Sequence, residues 1–292
     1  YGNVGLAAYD ANGNILWSWH IWIHPEIQVV RLGDYSVMDR NLGATYAPVN
    51  NNDFNSDNYF ANLGLYYQWG RKDPYFPPLT DSNTNTSTQP WFKKTAGGWI
   101  KKSANETASK GPIQQSVQQP LSFYTSTNTY WQTTYTDSKG PVNDLWGYVG
   151  AAGVLGQSFA KTMYDPCPPG YRVMQHNVFA TANICESDSE TSYRLEDYTN
   201  AWGIFLKDGM EAKGTVSAGG VWFPNSRTME SKGNFGYGRG PRLSTATPCY
   251  TEGSPFMTRM IVWKNSNNTY TIQEMHTDNW TTDAKVVRCQ ME

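Results

Sequence analysis

The amino-acid sequence predicts a β-rich α+β fold with few short helices, long loops and a large polar insertion. Aromatic residues make up 14% of the 292 residues and charged residues only 16%, so the polarity comes from Asn, Ser, Thr and Gln. A hairpin signal near the start and two apolar runs near the end add regular strands. A chain of this length can bury a proper core, and we predict a single domain over 1–292.

The first 25 residues carry a β-hairpin signal. An apolar run is followed by the turn Asp-Ala-Asn-Gly and by a long run rich in Trp and Ile, which Pro25 ends. We therefore predict strands near residues 4–9 and 15–23 within an N-terminal hairpin, 1–25.

Two further short strands are predicted beside glycines. The stretch "YSVMDRNLGA" contains Gly43 near its end, and "GLYYQWG" is bounded by Gly64 and Gly70. The amide-rich "NNNDFNSDN" between them is predicted to be a loop.

A polar segment from about residue 79 to 143 is dominated by Ser, Thr, Asn, Gln, Gly and Pro. Trp91, Trp99 and Trp131 are spaced through it. Disordered segments seldom carry that many tryptophans. We predict an insertion with little regular structure, attached to the main body by its aromatic residues.

The closing half, 164–292, is predicted to be regular again. A Pro-rich turn leads into the strand "YRVM" and a short helix across 176–183. The runs "GGVWFP", "MTRMIVWK" and "AKVVRCQ" predict further strands, and "GNFGYGRGP" predicts a Gly-rich loop.

Composition argues against nucleic-acid and membrane partners. The net charge is -2, and short lysine pairs offer no basic stripe to neutralise phosphates or an anionic bilayer. No apolar run reaches the roughly 18 to 20 residues of a membrane span. The chain starts at Tyr1 without a Met or a signal-type apolar region, which favours a mature or trimmed fragment.

Two stretches carry residues that bind metals in other proteins. His20 and His24 would share a metal on a helix, but on the predicted strand they stand roughly 13 Å apart, which favours a structural or solvent-facing role. The loop at 50–58 offers Asp53, Asn55 and Asp57 as calcium ligands, yet it lacks the mid-loop Gly and the closing Glu of a calcium loop. We predict no cofactor, with calcium at these three residues as the alternative to a solvated turn.

No catalytic residue is predicted. G-x-S-x-G and H-E-x-x-H are absent, and "GQSFA" around Ser158 lacks the second Gly. "GYGRGP" lacks the spacing and the lysine of phosphate loops. We interpret it as a surface loop that exposes Tyr237, Arg239 and Arg242, a combination that favours recognition of sugars or proteins.

The cysteines predict disulfides. Cys167, Cys185, Cys249 and Cys289 lie far apart, a spacing that fits neither a zinc ribbon nor a redox C-x-x-C pair. Cys167 stands among prolines in "DPCPPGYRV", a stiff elbow that suits a disulfide better than a nucleophile. Two disulfides and an oxidising compartment are therefore predicted. One hypothesis among three connectivities pairs Cys167 with Cys289, and Cys185 with Cys249.

Five motifs resemble a known domain family. They are "WSWHIW", "VMDRNLGA", "LYYQWGRKDPY", "DPCPPGYRV" and "VVRCQ". In this order they are similar to the C-type-lectin-like domain at the end of surface and fimbrial tip proteins of Bacteroides-type bacteria. That domain is related to the Fibrobacter succinogenes major paralogous domain. The resemblance covers most of the chain apart from the insertion at 79–143.

The resemblance implies a C-type-lectin-like fold whose N- and C-terminal strands come together and whose long loops form the ligand face at one end. Animal C-type lectins bind sugars through calcium with Glu-Pro-Asn or Gln-Pro-Asp, followed by Trp-Asn-Asp. The corresponding stretches here, "FPNSR" and "DNWTTD", do not match these tripeptides. A calcium-dependent sugar site is therefore not carried over.

The function implied by the resemblance is a non-enzymatic adhesin module on a fimbrium or the outer-membrane surface. It would bind a host or microbial glycan or surface protein, and other pilus subunits are further expected partners. The candidate ligand-binding residues are Asn225, Arg227, Tyr237, Arg239, Arg242, Tyr250 and Trp280. Trp222 and Trp263 lie in apolar runs and are expected in the core rather than against a ligand.

Three other functions stay open on the same fold. An enzyme of the formylglycine-generating type would need a buried reactive thiol. A pilin-like structural subunit would expose an edge strand for strand exchange. A receptor-binding protein would carry a diversified closing half.

Overall fold

The structure is a computed structural model, β-rich with few short helices, of the α+β class. It describes residues 1–48, 59–75, 92–95, 98–101, 107–109, 112–125, 131, 145–147, 159–175, 177–178, 199–200, 203–206, 221–224, 226, 228–229, 235–236, 243–246, 248–251, 254–257, 259–264, 270–275 and 283–292.

The elements follow one another in chain order. The helices are α1 (Tyr59–Leu63) and α2 (Ile113–Gln118). The strands are β1 (Gly2–Tyr9), β2 (Ile15–Ile23), β3 (Val29–Leu32), β4 (Tyr35–Asn41), β5 (Tyr66–Gln68), β6 (Phe92–Thr95), β7 (Gly98–Lys101), β8 (Thr107–Ser109), β9 (Phe123–Thr125), β10 (Tyr171–Val173), β11 (Thr199–Asn200), β12 (Gly203–Leu206), β13 (Val221–Pro224), β14 (Thr228–Met229), β15 (Phe235–Gly236), β16 (Leu243–Ser244), β17 (Pro248–Thr251), β18 (Ser254–Met257), β19 (Arg259–Lys264), β20 (Tyr270–Met275) and β21 (Ala284–Met291).

The predicted N-terminal hairpin is confirmed. β1 and β2 pair antiparallel along their whole length, with a register shift beside Tyr9. At the turn, the Asp10 carboxylate accepts the backbone N–H groups of Asn12 and Asn14 at 2.9 and 2.8 Å, and Gly13 adopts a φ of 84°. Side-chain and backbone hydrogen bonds from Asn14 lower the pKa of Asp10. This Asx-type turn explains why a short polar stretch reverses the chain here.

The terminal strand β21 is the centre of the eight-stranded sheet. It pairs antiparallel with β4, β5, β10 and β14, and parallel with β16. All of its residues from Ala284 to Gln290 are buried, because neighbours cover it on both edges. The predicted closing strand "AKVVRCQ" is therefore confirmed, and it is a central strand.

The N-terminal partner of the terminal strand differs from what the resemblance implies. β21 pairs with β4 through Arg288 with Asn41 and Gln290 with Val37, whereas the hairpin forms a two-stranded sheet of its own. β4 buries four of its seven residues, but β1 buries none. β4 therefore lies in the interior beside β21, where Val37 and Met38 supply apolar surface and Asn41 pairs with Arg288.

The core lies around β21, β4, β5 and the corner before β10. Its buried members include Met38, Leu65, Trp69, Trp146 and both cysteines of the corner and terminal strand, Cys167 and Cys289. Gly64 has a φ of 81°, and a Cβ there would lie 2.7 Å from the Leu42 carbonyl oxygen. The predicted glycine boundary before β5 is thus required by a close backbone approach.

The insertion at 79–143 contains more regular structure than predicted. It holds the hairpin β6–β7, the parallel pair β8–β9 and helix α2. The prediction of little regular structure is wrong. Short strands can pair locally even in a polar segment, and the polar composition hides the apolar pattern by which strands are predicted. The predicted attachment through aromatic residues is confirmed for Trp131, which is fully buried.

The predicted strands of the closing half are confirmed, but the predicted Gly-rich loop "GNFGYGRGP" contains the short strand β15, because Phe235 and Gly236 pair with β14. "YRVM" corresponds to β10, "GGVWFP" to β13 and "MTRMIVWK" to the end of β18 with β19. Within the predicted helix at 176–183, residues 177–178 have helical backbone and the others lie outside the described residues. The predicted loop at 50–58, with Asp53, Asn55 and Asp57, also lies outside them.

Candidate recognition surface

Of the candidate ligand-binding residues, the structure describes one. Tyr250 lies on β17, which pairs with β18 in a separate two-stranded sheet. The others lie outside the described residues: Asn225, Arg227, Tyr237, Arg239, Arg242 and Trp280. The described strands that adjoin them in the sequence are β13 to β16 and β21.

The connection from β13 to β14 carries Asn225 and Arg227. β14 follows directly after Arg227, and its Met229 pairs with Ala284, the first residue of β21. Trp222 on β13 is buried, as predicted for a core residue. The two described strands around these candidates are therefore a buried strand, β13, and a strand that pairs with the beginning of β21, β14.

The connection from β15 to β16 carries Tyr237, Arg239 and Arg242. β15 pairs with β14, and Leu243 of β16 pairs with Val286 of β21. Trp280 lies four residues before β21 starts. The described strands that adjoin these candidates in the sequence therefore meet the first three residues of β21, which sequence spacing alone does not reveal.

A buried arginine on β21 links this strand to β4 and β13. Arg288 donates hydrogen bonds to the Asn41 side chain at 2.9 Å, to the Met38 carbonyl at 3.0 Å and to the Trp222 carbonyl at 2.6 Å. Its guanidinium also lies 4.4 Å from the ring centre of Phe223. Burial lowers the pKa of Arg288 to about 9. This one cation on β21 has hydrogen-bond acceptors on β4 and on β13, so it links the three strands.

The proline-rich corner at residues 165–169 holds the C-terminal end of β21. Cys167 and Cys289 form a disulfide, which confirms the predicted pairing, and Val173 of β10 pairs with Cys289. The Asp165 carboxylate accepts the backbone N–H groups of Cys167 and Val173 at 2.8 and 2.9 Å. Burial raises the pKa of Asp165, and the Lys161 ammonium at 3.1 Å opposes this. Because its sulfur is bonded to Cys289, Cys167 is neither a nucleophile nor a metal ligand.

A second buried arginine attaches the insertion. Arg71 donates to the carbonyl groups of Ser122 at 2.7 Å, Pro120 at 3.0 Å and Ser116 at 3.4 Å. Its guanidinium also faces the rings of Tyr75, Tyr124 and Trp131 at 5.1 to 5.9 Å. Burial lowers the pKa of Arg71 to about 10. Sequence reasoning missed this residue, because its acceptors lie about 45 to 51 positions further along the chain.

A buried polar cluster of Ser18, Lys72 and Asp73 joins the hairpin to the body. The Lys72 ammonium donates to the Ser18 carbonyl and hydroxyl at 2.8 and 2.6 Å, and to Asp73 at 2.9 Å. The Ser18 hydroxyl donates to Asp73 at 2.6 Å. A serine nucleophile would instead donate its proton to the neutral amine of a Ser–Lys pair. We therefore assign the cluster to attachment of the hairpin.

His20 lies on the inner side of the hairpin. Asn3 donates its amide to the Gly43 carbonyl, so its oxygen accepts from Nε2 of His20 at 2.8 Å. Nδ1 then accepts from the Tyr67 hydroxyl at 3.2 Å. A neutral imidazole satisfies this network, and burial lowers the pKa of His20 from 6.5 to about 4. The structural role predicted for His20 fits these contacts.

We expect stability to fall as the pH decreases through this histidine's titration. The unfolded chain takes up the His20 proton near pH 6.5, but the folded chain takes it up only near pH 4. The contribution of His20 to folding stability is therefore fully present above pH 6.5, and it is lost as the pH falls from 6.5 to 4. The contribution is about 3 kcal/mol at most. Urea unfolding at several pH values measures it.

Two variants control that experiment. In His20→Gln, the free energy of unfolding should depend less on pH between 6.5 and 4. In His24→Gln, this pH dependence should stay as in the wild type. An unchanged slope in His20→Gln would assign the pH dependence to other groups.

Within the described residues, no three His, Cys, Asp or Glu side chains are grouped as metal ligands would be. No helix in this part of the chain has the length and apolar character of a membrane span. Comparison of the chain with known protein families, characterised proteins and solved structures finds no match.

Proposed function

We propose that this chain is a non-enzymatic recognition module on a cell surface or fimbrium, which binds a glycan or a protein through loops at the start of β21. The observation that supports the proposal is that β14 and β16, which are the next described strands after Arg227 and Arg242 in the sequence, both pair with the first residues of β21, Met229 with Ala284 and Leu243 with Val286. Loops that extend from a rigid scaffold are the usual place for binding residues.

Two further features support the proposal. A disulfide between the corner before β10 and the terminal strand suits a protein outside the cytosol. We propose the C-type-lectin-like fold for the chain as well, on the order of the five sequence motifs and the β-rich α+β architecture.

The proposal is tested with the purified chain on a broad glycan array and on immobilised mucin and matrix proteins. We expect the combined change of Tyr237, Arg239 and Arg242 to alanine to weaken binding at least tenfold, because Tyr and Arg side chains often contribute more than 1 kcal/mol each at interfaces. Arg31→Ala, on an exposed arginine of β3, should bind like the wild type.

Three outcomes would contradict the proposal. They are a wild-type chain that binds nothing on either surface, a triple variant that binds fully, and an Arg31→Ala variant that is equally weakened. Addition of EDTA should leave binding unchanged, and a loss of binding would point to calcium at Asp53, Asn55 and Asp57 instead.

The formylglycine-generating alternative makes a different prediction for Cys185 and Cys249. Mass spectrometry of the non-reduced protein should find these two cysteines joined. Two free and reactive thiols would support the enzyme and count against a purely binding role.

A further inference from the structure

The turn between β1 and β2 contains an asparagine followed by a glycine, the only Asn-Gly pair in the sequence. Both residues are exposed. Gly13 has a φ of 84°, a conformation that residues with a side chain rarely adopt, so the turn itself requires glycine after Asn12. Because glycine has no Cβ, no side chain of residue 13 shields its backbone nitrogen from the neighbouring Asn12 amide.

An Asn-Gly pair can deamidate with no reagent other than water. The Gly13 nitrogen loses its proton and attacks Cγ of Asn12, the bond from Cγ to the side-chain nitrogen breaks, and ammonia leaves. Water then opens the resulting succinimide ring. Attack of water on Cγ gives aspartate, and attack on the main-chain carbonyl carbon gives isoaspartate. The reaction is intramolecular, so its rate depends on how the turn places the nitrogen relative to Cγ.

Hydrogen bonds centred on Asp10 restrain the atoms that would react. The Gly13 N–H donates to the Asp10 carbonyl at 3.1 Å, so the proton that the reaction must remove is already in a hydrogen bond. The Asp10 carboxylate accepts the backbone N–H groups of Asn12 and Asn14 at 2.9 and 2.8 Å, and the Asn14 side-chain amide at 2.8 Å. The Asp10 N–H donates to the Asn14 carbonyl at 2.9 Å. Attack on Cγ therefore has to wait for a local opening of the turn.

Asn14 provides a comparison within the same turn. It is exposed like Asn12, but its side-chain amide donates to the Asp10 carboxylate. The residue that follows it is Ile15, whose β-branched side chain crowds the backbone nitrogen that would have to attack. We therefore expect the reaction at Asn12 and not at Asn14.

We propose that Asn12 is a site of spontaneous deamidation and that the hydrogen bonds centred on Asp10 set its rate. The product carries a new carboxylate close to that of Asp10, and isoaspartate also lengthens the main chain by one methylene group. Both changes oppose the turn, because like charges repel and because a longer connection disturbs the pairing of Tyr9 with Ile15. This site is in the hairpin turn, so the proposal does not depend on the recognition function.

The test follows Asn12 in the full chain at neutral pH by peptide mapping with mass spectrometry. In the folded wild type, the peptide with Asn12 should gain the mass that replaces NH₂ by OH, and protein-isoaspartate methyltransferase should label it. The same chain unfolded in guanidinium chloride should react at least about tenfold faster, because its turn is always open.

Aspartate variants test the restraint by Asp10. In the folded chain, Asp10→Ala should raise the rate at Asn12 at least about fivefold, because the turn opens more often. Asp10→Asn keeps an acceptor oxygen and should react at a rate between those of the wild type and Asp10→Ala. Asp34→Ala removes an aspartate that is 75% exposed and outside the turn, and it should react like the wild type. Hydrogen exchange in β4 and β21 checks that each variant is folded.

The structural effect is measured on the modified chain after chromatographic separation. The backbone amides of Asn12 and Asn14 should exchange faster than in the unmodified chain, and the amide of Ser18 should stay unchanged. Asn12→Asp adds the charge without the methylene group, so its effect on exchange should be smaller than that of isoaspartate.

Several results would overturn the proposal. They are an unfolded chain that does not react at Asn12, a folded wild type in which Asn12 stays intact, a folded wild type that reacts as fast as the unfolded chain, and an Asp10→Ala chain that reacts at the wild-type rate. Equal reaction at Asn14 would contradict the role of Gly13. The glycan and mucin assays are independent of all these results.

Discussion

Replacement of Cys167 and Cys289 by alanine is expected to lower the free energy of unfolding by about 4 to 5 kcal/mol. The disulfide closes a loop with a sequence separation of 122 residues, and the chain-entropy estimate for such a loop gives this magnitude. Because whole domains are stable by only about 5 to 15 kcal/mol, the variant should be close to unfolding. Urea unfolding with and without reductant measures the loss.

The matched control for the disulfide is Met163→Ala, an exposed residue in the same corner. It should change stability by less than about 0.5 kcal/mol. Hydrogen exchange should show that β10 and the end of β21 open first in the double variant. A loss of stability below about 1 kcal/mol, or opening that starts at β4, would contradict the role of the disulfide in holding the end of β21.

Arg71→Met is expected to cost about 3 kcal/mol or more, because each buried carbonyl that loses its donor costs about 1 to 3 kcal/mol. Methionine fills much of the volume but leaves the carbonyls of Ser122, Pro120 and Ser116 without their donor. The segment from α2 to Trp131 should then detach from the body. Hydrogen exchange and tryptophan fluorescence report this directly, and urea unfolding gives the magnitude.

Two substitutions test whether the guanidinium itself matters. Arg71→Lys should recover only part of the loss, because one ammonium cannot donate to the separated carbonyls in the same plane. Arg31→Met, at an exposed position, should have almost no effect. Full stability in Arg71→Lys would mean that charge alone attaches the insertion.

Local sequence patterns were sufficient to predict the hairpin strands and the proline-rich corner at Cys167. The hairpin could be predicted because its turn residues and flanking runs are adjacent in sequence, and the observed strands begin within two residues of the predicted ones. The elbow around Cys167 could be predicted because prolines restrict φ wherever they occur. The Cys167–Cys289 pairing was one choice among three until the fold selected it.

The candidate recognition surface was only partly predictable. Residues such as Tyr237 and Arg239 stand out by type, since aromatic and guanidinium groups in a Gly-rich loop are typical of binding surfaces. That the neighbouring strands β14 and β16 both meet β21 could not be predicted, because the pairings of Met229 and Leu243 with β21 are contacts between distant residues. One visible signal was overlooked: an arginine inside the apolar run "VVRCQ" indicates a buried cation with partners elsewhere.

The sequence by itself determined where strands form, where the chain turns and that the cysteines suit disulfides, because these depend on neighbouring residues. Only the tertiary structure decided that β21 is central, that Arg71 and Arg288 are buried and that one face of the hairpin is exposed. These features depend on which distant segments meet, and burial follows from that meeting rather than from residue type. A lysine or arginine can therefore be buried while tryptophan and isoleucine on β2 remain exposed.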